Sequence, residues 1–233
     1  MYIATWNLNH QGGTRPVLME AADAAIALRA DVLVFTEFFP RQHEAQFRAT
    51  LANAGWTEQL ISALPCEIAG QDNREPNRIF IASKLPLAPM TLDLVPFDRQ
   101  FPANLLGVTL PALGLSVLGV RVPAYNTGRL LFPAWQWIEE TAASLRSSPA
   151  IIIGDLNIQV SSARSRGGDH FRRILANGWH RAEPGGATFF GYKGKRSEID
   201  HVLATIHCVI SDAVCVRHNA ISDHAALVCR VEL

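Results

Sequence analysis

Short runs rich in Val, Ile and Leu recur along the chain, each closed by Gly, Pro, Asn or Asp, with helical patterns between some of them. The runs predict strands over Tyr2 to Trp6, Asp31 to Thr36, Arg78 to Ser83, Ala150 to Ile153, Glu198 to Ala204, His207 to Val216 and Ala225 to Val231. Apolar residues at helical spacing predict helices over Pro16 to Arg29, His43 to Ala54 with Gly55 as the stop, Leu130 to Ser147, and Asp169 to Ala176 with Asn177-Gly178 as the stop. Trp135, Trp137 and Phe132 fall inside the third helix, where packing against a sheet accounts for them better than a stacking platform. No residue from Gln100 to Val120 is charged, which is long enough to suggest a membrane span. Pro102, Gly107, Pro111, Gly114 and Gly119 interrupt that stretch, so Leu105 to Leu110 and Leu115 to Val122 read instead as a buried β-hairpin. The order begins βαβα and then turns largely to strands, which fits two packed sheets with helices outside.

Composition narrows the picture. At 233 residues with 48% hydrophobic and 18% charged side chains, disorder and fibre are excluded, and one domain over residues 1–233 is the simplest account. Lys+Arg and Asp+Glu both count 21, so no global basic field draws the chain onto nucleic acid. The zero is a cancellation, because residues 164–196 carry eight basic side chains against Asp169 and Glu183. Cys66, Cys208, Cys215 and Cys229 form no CxxC pair, so reduced thiols are expected. The opening residues lack the basic and apolar regions of a secretory signal, which predicts a cytoplasmic protein.

Polar residues at the borders of apolar strands carry the chemistry, since strand interiors reject unpaired charge. Asn7 follows the first strand, Glu37 the second, and Asp155 and Asn157 follow Ile151-Ile152-Ile153 as Gly-Asp-Leu-Asn. Asp200 lies in Ile-Asp-His, Asp223 and His224 open the last strand in Ser-Asp-His, and Arg121 closes the hairpin in Gly-Val-Arg-Val-Pro. Antiparallel pairing sets the end of one strand beside the start of the next, so one rim can collect them all. Glu37, Asp155, Asp200 and Asp223 on one rim would repel each other without a cation. Oxygen ligands with Asn and water suit Mg²⁺ or Mn²⁺ rather than Zn²⁺. Any one of these pieces alone is also explained by a turn or a cap.

The ordered set Trp-Asn, Thr-Glu, Gly-Asp-x-Asn, Ile-Asp-His and Ser-Asp-His resembles the endonuclease/exonuclease/phosphatase superfamily, from Asn7 to His224. The resemblance implies a four-layer α/β/β/α sandwich, an α+β fold of two mixed sheets with the site at one end. It further implies that Glu37 is the main metal ligand, with Asn7 and Asp223 completing or bordering the site. Asp155 would orient or deprotonate the attacking water, Asn157 would hold a phosphate oxygen, and His224, held by Asp200, would stabilise the transition state or assist the leaving group. His201 matches a variable position and is expected to be structural.

Departures from the family pattern narrow the substrate. Phe39 stands where abasic-site nucleases usually carry Lys, and Arg121 stands where Tyr or His is usual. Arg121 keeps a phosphate-binding donor, because a guanidinium can clamp two oxygens. Asn77 or Arg78 occupies a further family position of open role. The leading expectation is a Mg²⁺-dependent nuclease, with the basic clusters Arg164-Ser165-Arg166 and Lys193-Gly194-Lys195-Arg196 both flanking the site. Six such charges on duplex phosphates would give a salt slope of about −5. The alternative is a phosphatase or phosphodiesterase acting on a phosphorylated small molecule or lipid headgroup, which the short chain favours. A catalytically dead binding module is disfavoured because the acids and His224 are all present.

Overall fold

The computed structural model describes residues 1–9, 19–39, 43–63, 77–92, 101–125 and 127–233. In chain order the strands and helices are β1 (Tyr2–Asn7), α1 (Met19–Ala27), β2 (Val32–Phe38), α2 (Glu44–Asn53), β3 (Glu58–Ile61), β4 (Arg78–Ser83), β5 (Ala88–Pro89), β6 (Leu105–Leu110), β7 (Leu115–Arg121), α3 (Gly128–Leu145), β8 (Ala150–Asp155), α4 (Gly168–Ala176), β9 (Trp179–Arg181), β10 (Phe189–Phe190), β11 (Arg196–Ser197), β12 (Asp200–Thr205), β13 (Val209–Val216) and β14 (Ala226–Glu232). One six-stranded sheet has the order β13-β14-β1-β2-β4-β3, the other β5-β6-β7-β8-β12-β9, and β10-β11 form a separate hairpin. Each large sheet holds one parallel pair, β1 with β2 and β7 with β8, so both are mixed.

Period-two alternation with both faces apolar makes the four layers. Ile3, Val32, Val34, Ile79 and Ile81 point between the sheets to meet Val117, Ile151, Ile153 and Val202. Their neighbours Ala4, Trp6, Leu33, Phe35 and Phe80 point the other way, against the alanine-rich face of α1 and Phe47 and Leu51 of α2. On the far side Leu118, Val120, Ile152 and Leu203 meet Trp135, Trp137 and Ile138 of α3 and Phe171 and Ile174 of α4. A strand needs an apolar residue at every position only when both its faces are covered, which is why β2, β4 and β8 read as continuous hydrophobic runs. Trp135 and Trp137 are buried as expected, whereas Phe132 is on the exposed side of α3.

The uncharged stretch forms the hairpin β6–β7 in register from Leu105↔Val120 to Leu110↔Leu115. No helix among the described residues is long and apolar enough to cross a membrane. Three strands run further than their apolar runs, through Asn7, Glu37 and Asp155: Asn7 still pairs with Thr36 and Asp155 with Arg121 and Asp200, whereas Glu37 falls in a register shift between β2 and β4. Two begin later. The amides of Ile199 and Asp200 donate to Thr188 Oγ1, and a turn closed by Cys208 N–H on Thr205 O precedes Val209. Of the first predicted helix, residues 16–18 lie outside the described residues, as does Cys66. Cys208, Cys215 and Cys229 are free thiols.

Candidate active site

The C-terminal ends of β1, β2, β7 and β8 and the approaches to β12 and β14 share one edge of the sandwich. Register makes this explicit: Asp155 faces Arg121 on the parallel strand β7 and Asp200 on the antiparallel strand β12. Gly154 makes that position attainable. Its φ is +142°, and a Cβ there would lie 2.0 Å from the Val120 carbonyl oxygen, so only glycine lets β7 approach this closely beside Asp155.

Asp155 is buried and held from three directions. Asn7 Nδ2 donates to its Oδ2 at 2.9 Å, and Asn157 donates from its backbone N–H to Oδ1 at 2.9 Å and from Nδ2 to Oδ2 at 3.1 Å. The second Asn157 amide hydrogen goes to Val122 O at 2.7 Å, so in this structure both amide hydrogens are engaged and the side chain fixes Asp155. Asn7 Oδ1 accepts from Asn9 N–H at 2.8 Å. Burial pushes the Asp155 carboxyl up to about 7, and the Asp200 charge adds to this against the pull of His224 and Arg121.

Asp200 Oδ2 lies 2.8 Å from His224 Nδ1, fixing the imidazole so that Nε2 is left for other work, 4.0 Å from Asp223 Oδ1. Burial alone would lower the His224 pKa, but Asp200, by charge and hydrogen bond, with Asp155 and Asp223, raises it to about 9. Phe189 packs on the imidazole with ring centres 5.0 Å apart. Ser222 Oγ donates to Asn7 O at 2.7 Å and accepts from His224 N–H at 3.0 Å, tying β1 to the last strand's entry.

Glu37 reaches the rim by a backbone irregularity. The β2–β4 register shifts between Phe35 and Phe38, and Glu37 itself has φ 53°, unusual for a residue with a side chain. Phe38 holds the bulge in place by stacking on Phe80 at 4.7 Å and packing on Phe47 at 5.6 Å. Strain of this kind, of order 1–3 kcal/mol, persists where surrounding packing over-determines it, often at functional sites. Glu37 and Arg121 form an ion pair at 2.7 Å. Asp223 is half-buried and raised above its usual range by burial, with Glu37 and Asp200 among the charges that act on it.

The donor set fits a hard divalent cation. Asp200 Oδ1 and Asp223 Oδ1 are buried carboxylate oxygens without a hydrogen-bond partner, an arrangement that costs free energy unless something positive completes it. Asp155, Asp200 and His224 also bring ligand atoms within 4.8 Å of one another, although Asp200 and His224 are committed to each other by their hydrogen bond.

His201 is buried, bonds through Nε2 to Ile158 O at 2.7 Å and packs on Phe171, off the reacting group. Phe39 is buried, and Arg78 donates to the Ser62 carbonyl as a strand anchor. The basic clusters divide. Arg164 and Arg172 pair with Asp169, Arg173 with Glu139, and Arg181 with Glu198 and Glu183; the first cluster also docks Gly167 against Trp135. Only the second cluster adjoins the site, through the β10–β11 hairpin: Phe189 bridges to His224 and Phe190 N–H donates to Asp223 O at 2.9 Å. Lys193, Lys195 and Arg196 pair with no carboxylate among the described residues, and Arg217 joins them by stacking on Phe190 at 3.7 Å. Thr188, Phe189 and Asn104 were not singled out by sequence, and Ser222 only as the first residue of Ser-Asp-His without a role of its own; the polar border of the Thr188-Phe189-Phe190 run was the available signal.

A family model described as the Endonuclease/Exonuclease/phosphatase family matches residues 4–224. A search of curated proteins finds no match. Among solved structures, an endonuclease/exonuclease/phosphatase from Beutenbergia cavernae superposes with a TM-score of 0.75 at 17% identity, over 100% of this chain and 71% of that one. The 3′-5′ exonuclease NExo from Neisseria meningitidis gives 0.75 at 19% and an AP endonuclease from Archaeoglobus fulgidus 0.71 at 18%, each over 100% of both chains.

Proposed function

The chain belongs to the endonuclease/exonuclease/phosphatase family, and from that premise we propose that it is a Mg²⁺-dependent phosphodiesterase that hydrolyses nucleic-acid backbones. The observation that carries this reading is the linked series Asn7–Asp155 and Asp200–His224 on one rim, with the cationic hairpin beside it. In this reading Asp155, with a pKa near 7, takes a proton from the attacking water as its oxygen bonds to phosphorus. His224, protonated up to about pH 9, donates from Nε2 to the phosphoryl or departing oxygen as the P–O bond to the leaving group breaks. Asp200 holds that imidazole, and Asn7 and Asn157 hold Asp155. Glu37, Asp223 and Asn7 are the residues that would hold the cation. When bound, Mg²⁺ supplies charge neutralisation at the phosphoryl oxygens.

Two of the similar structures are named a 3′-5′ exonuclease and an AP endonuclease, and Tyr192, exposed at the hairpin tip between Phe190 and Lys193, adds a stacking surface to the cations. Free thiols at Cys208, Cys215 and Cys229 suit a reducing, cytoplasmic setting. Purified protein with Mg²⁺ is assayed on duplex, single-stranded and abasic oligonucleotides, chromogenic diester and monoester phosphates, and phosphoinositides. Oligonucleotide and diester cleavage that stops with chelator and returns with Mg²⁺ or Mn²⁺ is expected. Cleavage of monoesters or phosphoinositides alone would instead identify a small-molecule or headgroup phosphatase. With Lys193, Lys195, Arg196 and Arg217 on phosphates, log K against log salt has a slope of about −3 to −4, shallower than the slope of about −5 expected for six such charges. A slope near zero contradicts nucleic-acid binding.

A further inference from the structure

Arg121 does not face an open phosphate site. Its Nε lies 3.0 Å and its Nη2 2.7 Å from the same oxygen of Glu37, Oε1, and Nη1 donates to Asn104 Oδ1 at 3.2 Å. The side chains of Arg121 and Glu37 are only 18% and 13% exposed, so water screens the pair weakly. Glu37 is thus held by a fixed cation on one oxygen, at the end of a bulge that delivers it beside Asp223.

Resting on the reading of this rim as a cation site, we propose that Arg121 is a positioning residue that competes with the divalent cation for Glu37 and couples cation binding to phosphate binding. A guanidinium bonded to a carboxylate lowers its affinity for any other positive partner. The competition is electrostatic: a carboxylate that already holds one cation binds a second more weakly, by on the order of 10-fold or more. An arriving phosphodiester anion can meet the planar fork with two oxygens, where Glu37 offers it only Oε1. When it draws Arg121 away, Glu37 is released to the cation. Cation and phosphate then each strengthen the binding of the other, by the same factor. The hydrogen bond to Asn104 keeps the guanidinium at the rim during this exchange.

The test is Mn²⁺ binding followed by electron paramagnetic resonance of the free ion, with no turnover required. Arg121→Gln is expected to bind Mn²⁺ about 10-fold more tightly than the wild type, and Arg121→Lys, which keeps the charge, to stay within about 3-fold of it. In the wild-type chain, saturating dimethyl phosphate is expected to tighten Mn²⁺ several-fold, and this coupling is expected to collapse in Arg121→Gln. A purely structural Arg121 predicts the opposite sign, since a disordered Glu37 binds more weakly. Unchanged or weaker Mn²⁺ binding in Arg121→Gln overturns the proposal, and if that variant does not fold, absence of the dimethyl phosphate effect in the wild type overturns it alone. Glu37→Gln separates the two levels. If it binds Mn²⁺ like the wild type, the cation reading of the rim has failed; if it loses Mn²⁺ while Arg121→Gln is unchanged, only the role of Arg121 has.

Discussion

Two histidines near the rim have opposite environments, and replacing the wrong one distinguishes packing from chemistry. His201 is 1% exposed, bonded to the Ile158 carbonyl and packed at a tilt on Phe171, and burial holds its pKa down at about 4 against an ordinary 6.5. Above pH 6.5 the imidazole is neutral in both folded and unfolded chains, so its contribution to stability is complete. As pH falls below 6.5 the unfolded chain takes up a proton that the folded chain refuses, and stability is lost until pH reaches about 4. A shift of this size is worth about 3 kcal/mol in full and about 2 kcal/mol at pH 5. His201→Gln keeps an amide donor for Ile158 and removes the titration. Urea unfolding of both proteins at pH 8 and pH 5 is expected to show the wild type losing about 2 kcal/mol more than the variant on acidification. Parallel losses in the two proteins would refute the buried neutral imidazole. Turnover of His201→Gln at pH 8 is expected within about 5-fold of wild type, because the ring touches no reacting atom; a loss on the order of 10²-fold would place His201 in the chemistry instead.

The opposite shifts of Asp155 and His224 set a pH window for turnover: kcat/KM is expected to rise as Asp155 loses its proton near pH 7 and to fall as His224 loses its proton near pH 9. A profile flat from pH 6 to 10 would remove both residues from proton transfer. Gly154→Ala is expected to cost about 3 kcal/mol or more by urea unfolding, because its Cβ meets backbone on β7 rather than a side chain that can move. A cost below about 1 kcal/mol would show that the β7–β8 pair can spread, contrary to the packing described.

Much of the sandwich was legible because it follows from period two. Residues such as Val34, Phe80 and Ile152 are apolar on both faces, and only sheets covered on both sides need that. Strands without an apolar run were not legible: β3, β5, β9, β10 and β11 are two to four residues long and gain their definition from neighbours. At the rim, Asp155, Asp200 and His224 were readable because register alone brings strand ends together. The left-handed Glu37 and its bulge were not, since the cause is the packing of Phe38 on Phe80 and Phe47 from other elements. Asn157 looked like a free donor because sequence does not show that Val122 O lies within reach of its amide. The charge excess of residues 164–196 overstated the basic surface for the same reason, as Glu139 and Glu198, both outside that segment, pair with Arg173 and Arg181 from positions that spacing does not reveal.

The central claim is that Asp155 and the Asp200-held His224 drive cation-dependent hydrolysis of a phosphodiester. Its most direct test is single-turnover cleavage of an oligonucleotide in Mg²⁺ by the wild type, Asp155→Ala and His224→Ala, each with its unfolding midpoint measured in the same preparation. Both variants are expected to remain folded and to lose on the order of 10² to 10⁴ in rate, with wild-type cleavage abolished by chelator. Near-normal rates in both folded variants, or full wild-type cleavage in chelator, would contradict it.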